Sequence, residues 1–175
     1  MENISNRINK ADDGIRLIVK NAKIINRNFS GAERKDQSGR LVNARGKRNF
    51  CVVFSEEEAA ALQADGWNVR FKKDGTPFLP VEARYDIPEY QPVIFYIDCG
   101  NKINVTEDTV DALDDVDIAD AEVTIRPYHY DVNGKAGIKA YLTKLKIALV
   151  EDDFLTKHNV VPTRAFDDGE PLPFN

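Results

Sequence analysis

The dipeptide Asn133-Gly134 is the feature that most restricts how this chain folds. It lies between two extended stretches that are rich in β-branched and aromatic residues. Asn-Gly is the preferred two-residue turn of a β-hairpin, because both positions adopt positive φ angles. The sequence therefore predicts two long antiparallel strands, Ala121 to Val132 and Lys135 to Val150. The turn also fixes their register, with Val132 opposite Lys135.

The predicted register sorts the side chains of the hairpin onto two faces, because neighbouring residues of a strand point to opposite sides of the sheet. One face is apolar and is predicted to belong to the core. The other face alternates aromatic rings with cations, namely Arg126, Tyr128, Tyr130, Lys135, Lys139 and Tyr141. On this second face, Gly137 is expected to leave open space opposite Tyr130.

Rings and cations on one exposed face favour binding of single-stranded nucleic acid. The phosphates of such a ligand need positive charge, and its unpaired bases need flat surfaces on which to stack. The face is also compatible with a hairpin that is merely stabilised by cross-strand pairs. A further alternative is a protein–protein interaction or structural module, since Tyr and Arg are enriched at such interfaces.

The charge distribution supports the nucleic-acid hypothesis. The net charge is −5, yet basic residues dominate from Arg16 to Arg48, and acidic residues alone occur from Glu107 to Glu122. A basic surface attracts a polyanion even when the whole protein is acidic. The basic segment adds a second set of candidate DNA-binding residues: Arg27, Phe29, Arg45, Lys47 and Arg48. Phe29 is expected to provide a further ring for stacking.

The rest of the chain contains shorter elements. A bent strand is predicted from Ile15 to Ile25, and a mobile basic loop follows it. The segment SEEEAAALQADG predicts a helix that begins at Ser55, which can form a capping box with Glu58. A second short helix is predicted from Thr106. A proline-containing connection is expected between the strand candidates WNVRFK and PVIFYID.

Strands of unequal length, short inserted helices and no βαβ alternation predict a mainly β fold. The preferred architecture is an OB-fold-like barrel of five strands with a long β-hairpin. We divide the chain into a flexible N-terminus (1–13), an OB-fold single-stranded DNA-binding domain (14–150) and a flexible, acidic, proline-containing tail (151–175).

Catalysis is not expected. The carboxylates form acidic runs without a nearby nucleophile, a glycine-rich phosphate loop or a set of metal ligands. No catalytic residue, cofactor or metal site is therefore predicted. A metal-dependent nuclease built on Asp111, Asp114, Asp115 and Asp117 is the weaker alternative. The polar N-terminus and the short apolar runs predict a protein of the cytosol without a membrane partner.

Four sequence blocks, RNF, GWNV, RPYHY and NGKAGIKAYL, carry a family resemblance. Together they resemble the OB-fold single-stranded DNA-binding proteins encoded by tailed bacteriophages, over most of residues 14–150. The resemblance implies sequence-independent protection of single strands during phage DNA replication, recombination and repair, without catalysis. It places the binding face at Tyr128, Tyr130, Lys139 and Tyr141. The implied location is the cytoplasm of the infected bacterial host.

The end of the chain, AFDDGEPLPFN, carries a second resemblance. It is similar to the acidic tip of bacterial and phage single-stranded DNA-binding proteins, which typically ends in acids, proline and phenylalanine. That likeness implies that the tip binds phage or host replication and recombination proteins and competes with DNA. The residues concerned are Asp167, Asp168, Glu170, Pro173 and Phe174. Asn175 departs from the pattern, because it follows the phenylalanine.

The sequence leaves several properties open. Stacking and phosphate contacts do not read the 2′-hydroxyl, so RNA and duplex DNA stay open as further ligands beside single-stranded DNA. Monomer and homodimer are both compatible with the sequence.

Overall fold

The computed structural model of the chain describes residues 4–150. The predicted tail, with Asp167, Asp168, Glu170, Pro173 and Phe174, lies outside the described residues.

The described residues form a mainly β fold with twelve strands and one α-helix. The strands are β1 (Ile8–Lys10), β2 (Leu17–Val19), β3 (Lys23–Asn28), β4 (Arg34–Lys35), β5 (Leu41–Asn43), β6 (Arg48–Val53), β7 (Arg70–Phe71), β8 (Pro77–Ala83), β9 (Val93–Asp98), β10 (Asn101–Val105), β11 (Ile118–Val132) and β12 (Lys135–Leu149). Helix α1 covers Glu56–Ala64, and two 3-10 helices cover Pro88–Tyr90 and Val110–Asp114.

The main sheet follows the order β1-β2-β11-β12-β8-β6-β3. Strands β2 and β3 are two halves of one bent strand, the first paired with β11 and the second with β6. Between the halves, the amide of Ala22 donates to the carbonyl of Ala121 (2.8 Å). This connection closes the sheet into a barrel, with β8 and β12 running parallel. The mainly β, OB-like prediction is confirmed.

Strand β8 corrects the predicted proline-containing connection. Its residues alternate between buried and half-buried, as expected for a strand with one face on the core. The carbonyl of Pro77 accepts from the amide of Phe54 (3.1 Å), so alternate residues of β8 direct their backbone groups towards β6. The missing N–H of Pro80 therefore faces the other side, where pairing changes from β7 to β12. Proline fits there because no ladder bond is lost.

Helix α1 confirms the predicted capping box and also anchors the N-terminal segment. Ser55 Oγ accepts from the amide of Glu58 (3.1 Å), and Glu58 Oε1 accepts from the amide of Ser55 (3.0 Å). The buried Glu58 also accepts from Arg7 Nη2 (2.6 Å). Strand β1 follows Arg7, and its Ile8 is fully buried. Ordered structure thus begins inside the segment that we expected to be flexible.

Two further expectations are met in part. The helix predicted from Thr106 is a 3-10 helix, Val110–Asp114, whose Val110 and Leu113 are buried. The predicted basic loop contains β4 and β5, which form a separate two-stranded sheet.

Candidate single-stranded nucleic-acid interface

The β11–β12 hairpin has the register that the Asn133-Gly134 turn predicts. Val132 pairs with Lys135, Tyr128 with Lys139 and Arg126 with Tyr141. Both turn residues have positive φ angles, 52° for Asn133 and 79° for Gly134. A β-bulge interrupts the ladder between Thr124 and Ile125. The predicted face of rings and cations therefore forms, on the outside of the barrel.

The register of neighbouring strands extends this face across the sheet. Asn49 of β6 pairs with Glu82 of β8, Glu82 pairs with Tyr141 of β12, and Tyr141 pairs with Arg126 of β11. Arg16 precedes Leu17 of β2, which pairs with Ile125. Residues opposite each other share a face, so these five form one line, which we call the cross-sheet row. With adjacent strands about 4.8 Å apart, the row spans about 19 Å.

Three tyrosines form a cluster around Tyr141 of this row. The rings of Tyr128 and Tyr141 are stacked, with centroids 5.1 Å apart and an interplanar angle of 29°. The ring of Tyr90 lies 5.4 Å from that of Tyr141. Tyr128 is 41% exposed and Tyr141 only 5%. Tyr128 can therefore offer a face to a base, while Tyr141 supports it from below.

Arginines flank this tyrosine cluster. The guanidinium of Arg126 lies 4.9 Å from the ring centroid of Tyr90. The guanidinium of Arg84 lies 5.7 Å from the ring centroid of Tyr141, and its Nη1 donates to the Tyr141 hydroxyl (3.4 Å). Burial, and after it the charge of Glu82, raise the pKa of Tyr141. The phenol is therefore neutral at physiological pH, and the ring does not repel phosphate.

Tyr130 corrects the expectation of open space at Gly137. A Cβ atom built on Gly137 would lie 2.5 Å from the Tyr130 hydroxyl and 3.0 Å from a ring carbon. The Tyr130 ring thus covers Gly137 on the neighbouring strand. Both residues are half-buried. A side chain at position 137 would have to displace the Tyr130 ring.

Glu82 lies among three cations on the same face. Its carboxylate is 3.8 Å from Lys47 Nζ, 3.8 Å from Arg84 Nη1 and 3.8 Å from Lys139 Nζ. We call these four residues the Glu82 cluster. The Glu82 side chain is only 15% exposed, and its Oε1 has no hydrogen-bond partner among the described residues. The carboxylate thus occupies a position suited to an anionic oxygen of a ligand.

The predicted cations fall into two groups, those with exposed side chains and those that bind other parts of the protein. Arg45, Lys47, Arg126, Lys135 and Lys139 are exposed. Arg27 and Arg48, by contrast, hold the basic segment to the acidic one. Arg27 Nη1 donates to the carbonyls of Leu113 (2.7 Å) and Val116 (2.6 Å). Arg48 Nη1 donates to the carbonyl of Phe29 (2.6 Å) and to Asp111 (3.1 Å). These two arginines have structural contacts that the sequence did not predict.

Phe29 does not present a stacking surface. It is fully buried, and its ring stacks on that of Phe50 with centroids 5.2 Å apart. A β-bulge between Ile25 and Asn28 changes the side to which the following residues point. The carboxylate of Asp114 then fixes the loop, accepting from the amides of Phe29 (2.6 Å) and Ser30 (3.1 Å). The role predicted for Phe29 does not fit its position.

Sequence reasoning missed Tyr90, Arg84, Glu82 and Arg16. Glu82 belongs to β8, Arg84 follows directly after this strand, and Tyr90 ends the next 3-10 helix. All three fall in the stretch that its prolines marked as a connection. The alternating apolar residues Leu79, Val81 and Ala83 were the signal that could have identified the strand.

Residues 4–150 contain no cluster of three His, Cys, Asp or Glu side chains arranged to hold a metal ion. Within the same part of the chain, every helix is too short or too polar to cross a membrane.

Known proteins share this sequence pattern and fold. No curated protein sequence matches the chain. The bacteriophage Enc34 single-stranded DNA-binding protein in complex with ssDNA aligns with a TM-score of 0.54 and 9% identity, covering 85% of this chain and 93% of that chain. A C-terminal truncation of the Enc34 protein gives a TM-score of 0.53 and 8% identity, covering 85% of this chain and 92% of that one. At such identities the likeness concerns the fold. Residues 8–85 and 96–169 match the sequence profile of the phage ssDNA-binding domain, and since this is most of the chain, the protein belongs to the phage ssDNA-binding domain family.

Proposed function

We propose that this protein binds single-stranded DNA without sequence preference along the cross-sheet row. It protects single strands during replication, recombination and repair of phage DNA in the cytoplasm of the infected bacterium, and it does so without catalysis. The observation that carries the proposal is the open ring of Tyr128, stacked on Tyr141 and flanked by cations. Family membership supports it independently.

The tyrosine cluster supplies the part of the affinity that does not depend on sequence. Every base has a π face, and stacking one base on an aromatic side chain contributes about 1–3 kcal/mol. Tyr128 is held by its contact with Tyr141, so its ring loses little freedom when a base stacks on it. Discrimination between bases is not needed for such binding.

The cations supply the salt-dependent part. Arg126 and Lys139 lie beside the tyrosine cluster, and Lys135 lies at the hairpin tip. The loop between β3 and β6 contributes Arg45 and Lys47. In OB folds, the loop between the first two strands and the hairpin between the last two are the elements that contact oligonucleotides. The two sets of cations lie in those two elements.

Replacing the exposed ring tests the proposal. Tyr128→Ala is expected to weaken binding of an oligothymidylate about 5- to 150-fold, the loss of one base stack. Tyr128→Phe is the matched control, and it should bind as the wild type because it keeps the ring. Fluorescence anisotropy with a labelled oligonucleotide measures both variants.

Two results would contradict the proposal. If the labelled oligonucleotide has the same anisotropy with and without the wild-type protein, the row does not bind single strands. The face binds a protein instead if the chain forms a complex with a protein partner whose affinity does not change with salt, and if Tyr128→Ala weakens that complex.

We also propose that the acidic tail, residues 151–175, binds replication and recombination proteins. Its composition supports this role: Asp167, Asp168 and Glu170 provide charge, and Phe174 provides an apolar anchor beside Pro173. The same acids can compete with DNA for the cations of the domain.

A further inference from the structure

A surface cavity lies next to the tyrosine cluster, at the β2 end of the cross-sheet row. Its volume is about 310 Å³. Pockets that hold small ligands typically measure about 300–1,000 Å³, so the cavity has room for one small, flat group. Three parts of the chain line it: the segment before β2, the end of the 3-10 helix Pro88–Tyr90, and the outer face of the β11–β12 hairpin.

The charges of the side chains that line the cavity balance. Arg16 and Arg126 contribute two positive charges, and Asp13 and Glu89 contribute two negative ones. Arg16 Nε pairs with Asp13 Oδ2 at 2.7 Å. Hydrogen bonds from the amides of Ile15 and Arg16 lower the pKa of Asp13 to about 2, so this carboxylate stays charged. A balanced lining suits a neutral ring better than a free phosphate.

One wall of the cavity contains two planar groups. The ring of Tyr90 and the guanidinium of Arg126 lie 4.9 Å apart, and both line the cavity. Unpaired bases stack on aromatic rings and on arginine planes alike. Gln91 and Thr143 add polar groups that can meet the edge of a base. A planar side chain on which to stack and polar groups at the edge are together what a nucleobase requires.

Part of this wall lies outside the regions that match the family profile. Tyr90 and Gln91 lie in residues 86–95, between the two regions that match the family profile. The tyrosine cluster therefore has one member, Tyr90, outside the two matched regions.

We propose that this cavity takes one nucleobase of the bound single strand, unstacked from its neighbours, at the β2 end of the cross-sheet row. The inference rests on the proposed function. A strand that follows the row from β6 to β11 reaches Arg126 and then the cavity. The base leaves the strand there and stacks on the Tyr90–Arg126 wall.

Photocrosslinking tests the inference with the full chain. A 5-iododeoxyuridine is placed at successive positions of an oligothymidylate as long as the binding site, and the complex is irradiated. Mass spectrometry then identifies the crosslinked residue. We expect a crosslink to Tyr90 from one position and to Tyr128 from others. Tyr90→Phe should keep its crosslink, and Tyr90→Ala should lose it and bind about 5- to 150-fold more weakly.

The outcomes separate the two proposals. Crosslinks to Tyr128 without any to Tyr90 would overturn the cavity assignment and leave the proposed function intact. The same holds if Tyr90→Ala keeps wild-type affinity and the wild-type melting temperature. An oligothymidylate that does not bind at all, measured by anisotropy before irradiation, would overturn both.

Discussion

At the scale of single residues, Glu82 is the unusual member of the binding face. A carboxylate in the middle of a phosphate-binding surface opposes the ligand, yet here it lies within 3.8 Å of three cations. It keeps Lys47, Arg84 and Lys139 in one place while DNA is absent. In the proposed function, Glu82 would therefore take the place of a phosphate among these cations and lower the affinity for DNA.

Glu82→Gln is expected to tighten single-strand binding on the order of tenfold, since it removes one charge repulsion of about 1–2 kcal/mol. The three cations become available to phosphates, so the logarithm of affinity should also fall more steeply with the logarithm of salt concentration. Anisotropy titrations between about 50 mM and 200 mM salt measure both effects.

Glu122→Gln is the matched control, because it removes the same charge from β11 outside the Glu82 cluster. A smaller change is expected there. Equal gains in the two variants would show that only net charge matters, and weaker binding by Glu82→Gln would show that the carboxylate is needed to position the cations.

At the scale of elements, helix α1 depends on Glu58, which joins it to the N-terminal segment. Burial raises the pKa of this carboxyl, but hydrogen bonds from Arg7, from the Ser55 amide and from Ser5 outweigh burial and hold the pKa at about 2. The ordinary value is 4.5. The charged form is thus strongly preferred in the folded state.

Glu58→Gln should lower the free energy of unfolding by about 3 kcal/mol at pH 7, which corresponds to the lowered pKa. This contribution is complete above the unfolded pKa of 4.5 and is lost as the pH falls towards about 2. Urea unfolding at pH 7 and pH 3 measures it. The wild type should lose more than half of the contribution by pH 3 and the variant none of it. A parallel loss in both would assign acid sensitivity to other groups.

The elements also differ in how far the sequence predicts them. The hairpin register followed from Asn133-Gly134, and the capping box followed from Ser55 and Glu58, because both signals are local. The strand β8 did not, since the tolerance of Pro80 depends on which strands lie beside it. The burial of Phe29 depends on a bulge and on Asp114, which is far away in sequence. Local sequence patterns do not predict contacts with residues that are distant in the sequence.

At the scale of the whole molecule, the net negative charge is concentrated at the C-terminal end of the sequence. Residues 151–175 contain six acidic and two basic side chains, so most of the net charge of −5 belongs to them. The domain with the cross-sheet row is therefore close to neutral overall. Attraction of DNA depends on the local arrangement of cations and on where the tail charges lie.

A chain that ends at Val150 is expected to bind oligothymidylate more tightly than the full chain, most clearly at low salt, because the competing acids are gone. Anisotropy at about 50 mM and 200 mM salt measures the difference. In the full chain, Phe174→Ala should keep the wild-type affinity for DNA, since it changes no charge. Unchanged affinity after truncation would exclude competition by the tail.

The closure of the barrel has a consequence for synthesis. The row takes one residue from each of four strands and adds Arg16, which precedes β2, and β2 closes the barrel by pairing with β11 more than a hundred residues later. Such distant pairings form late and slowly. A nascent chain on the ribosome therefore holds the early members of the row without their later neighbours. If the row binds single strands as proposed, its complete binding surface exists only after the last hairpin has folded, so we expect a chain without this hairpin to bind more weakly.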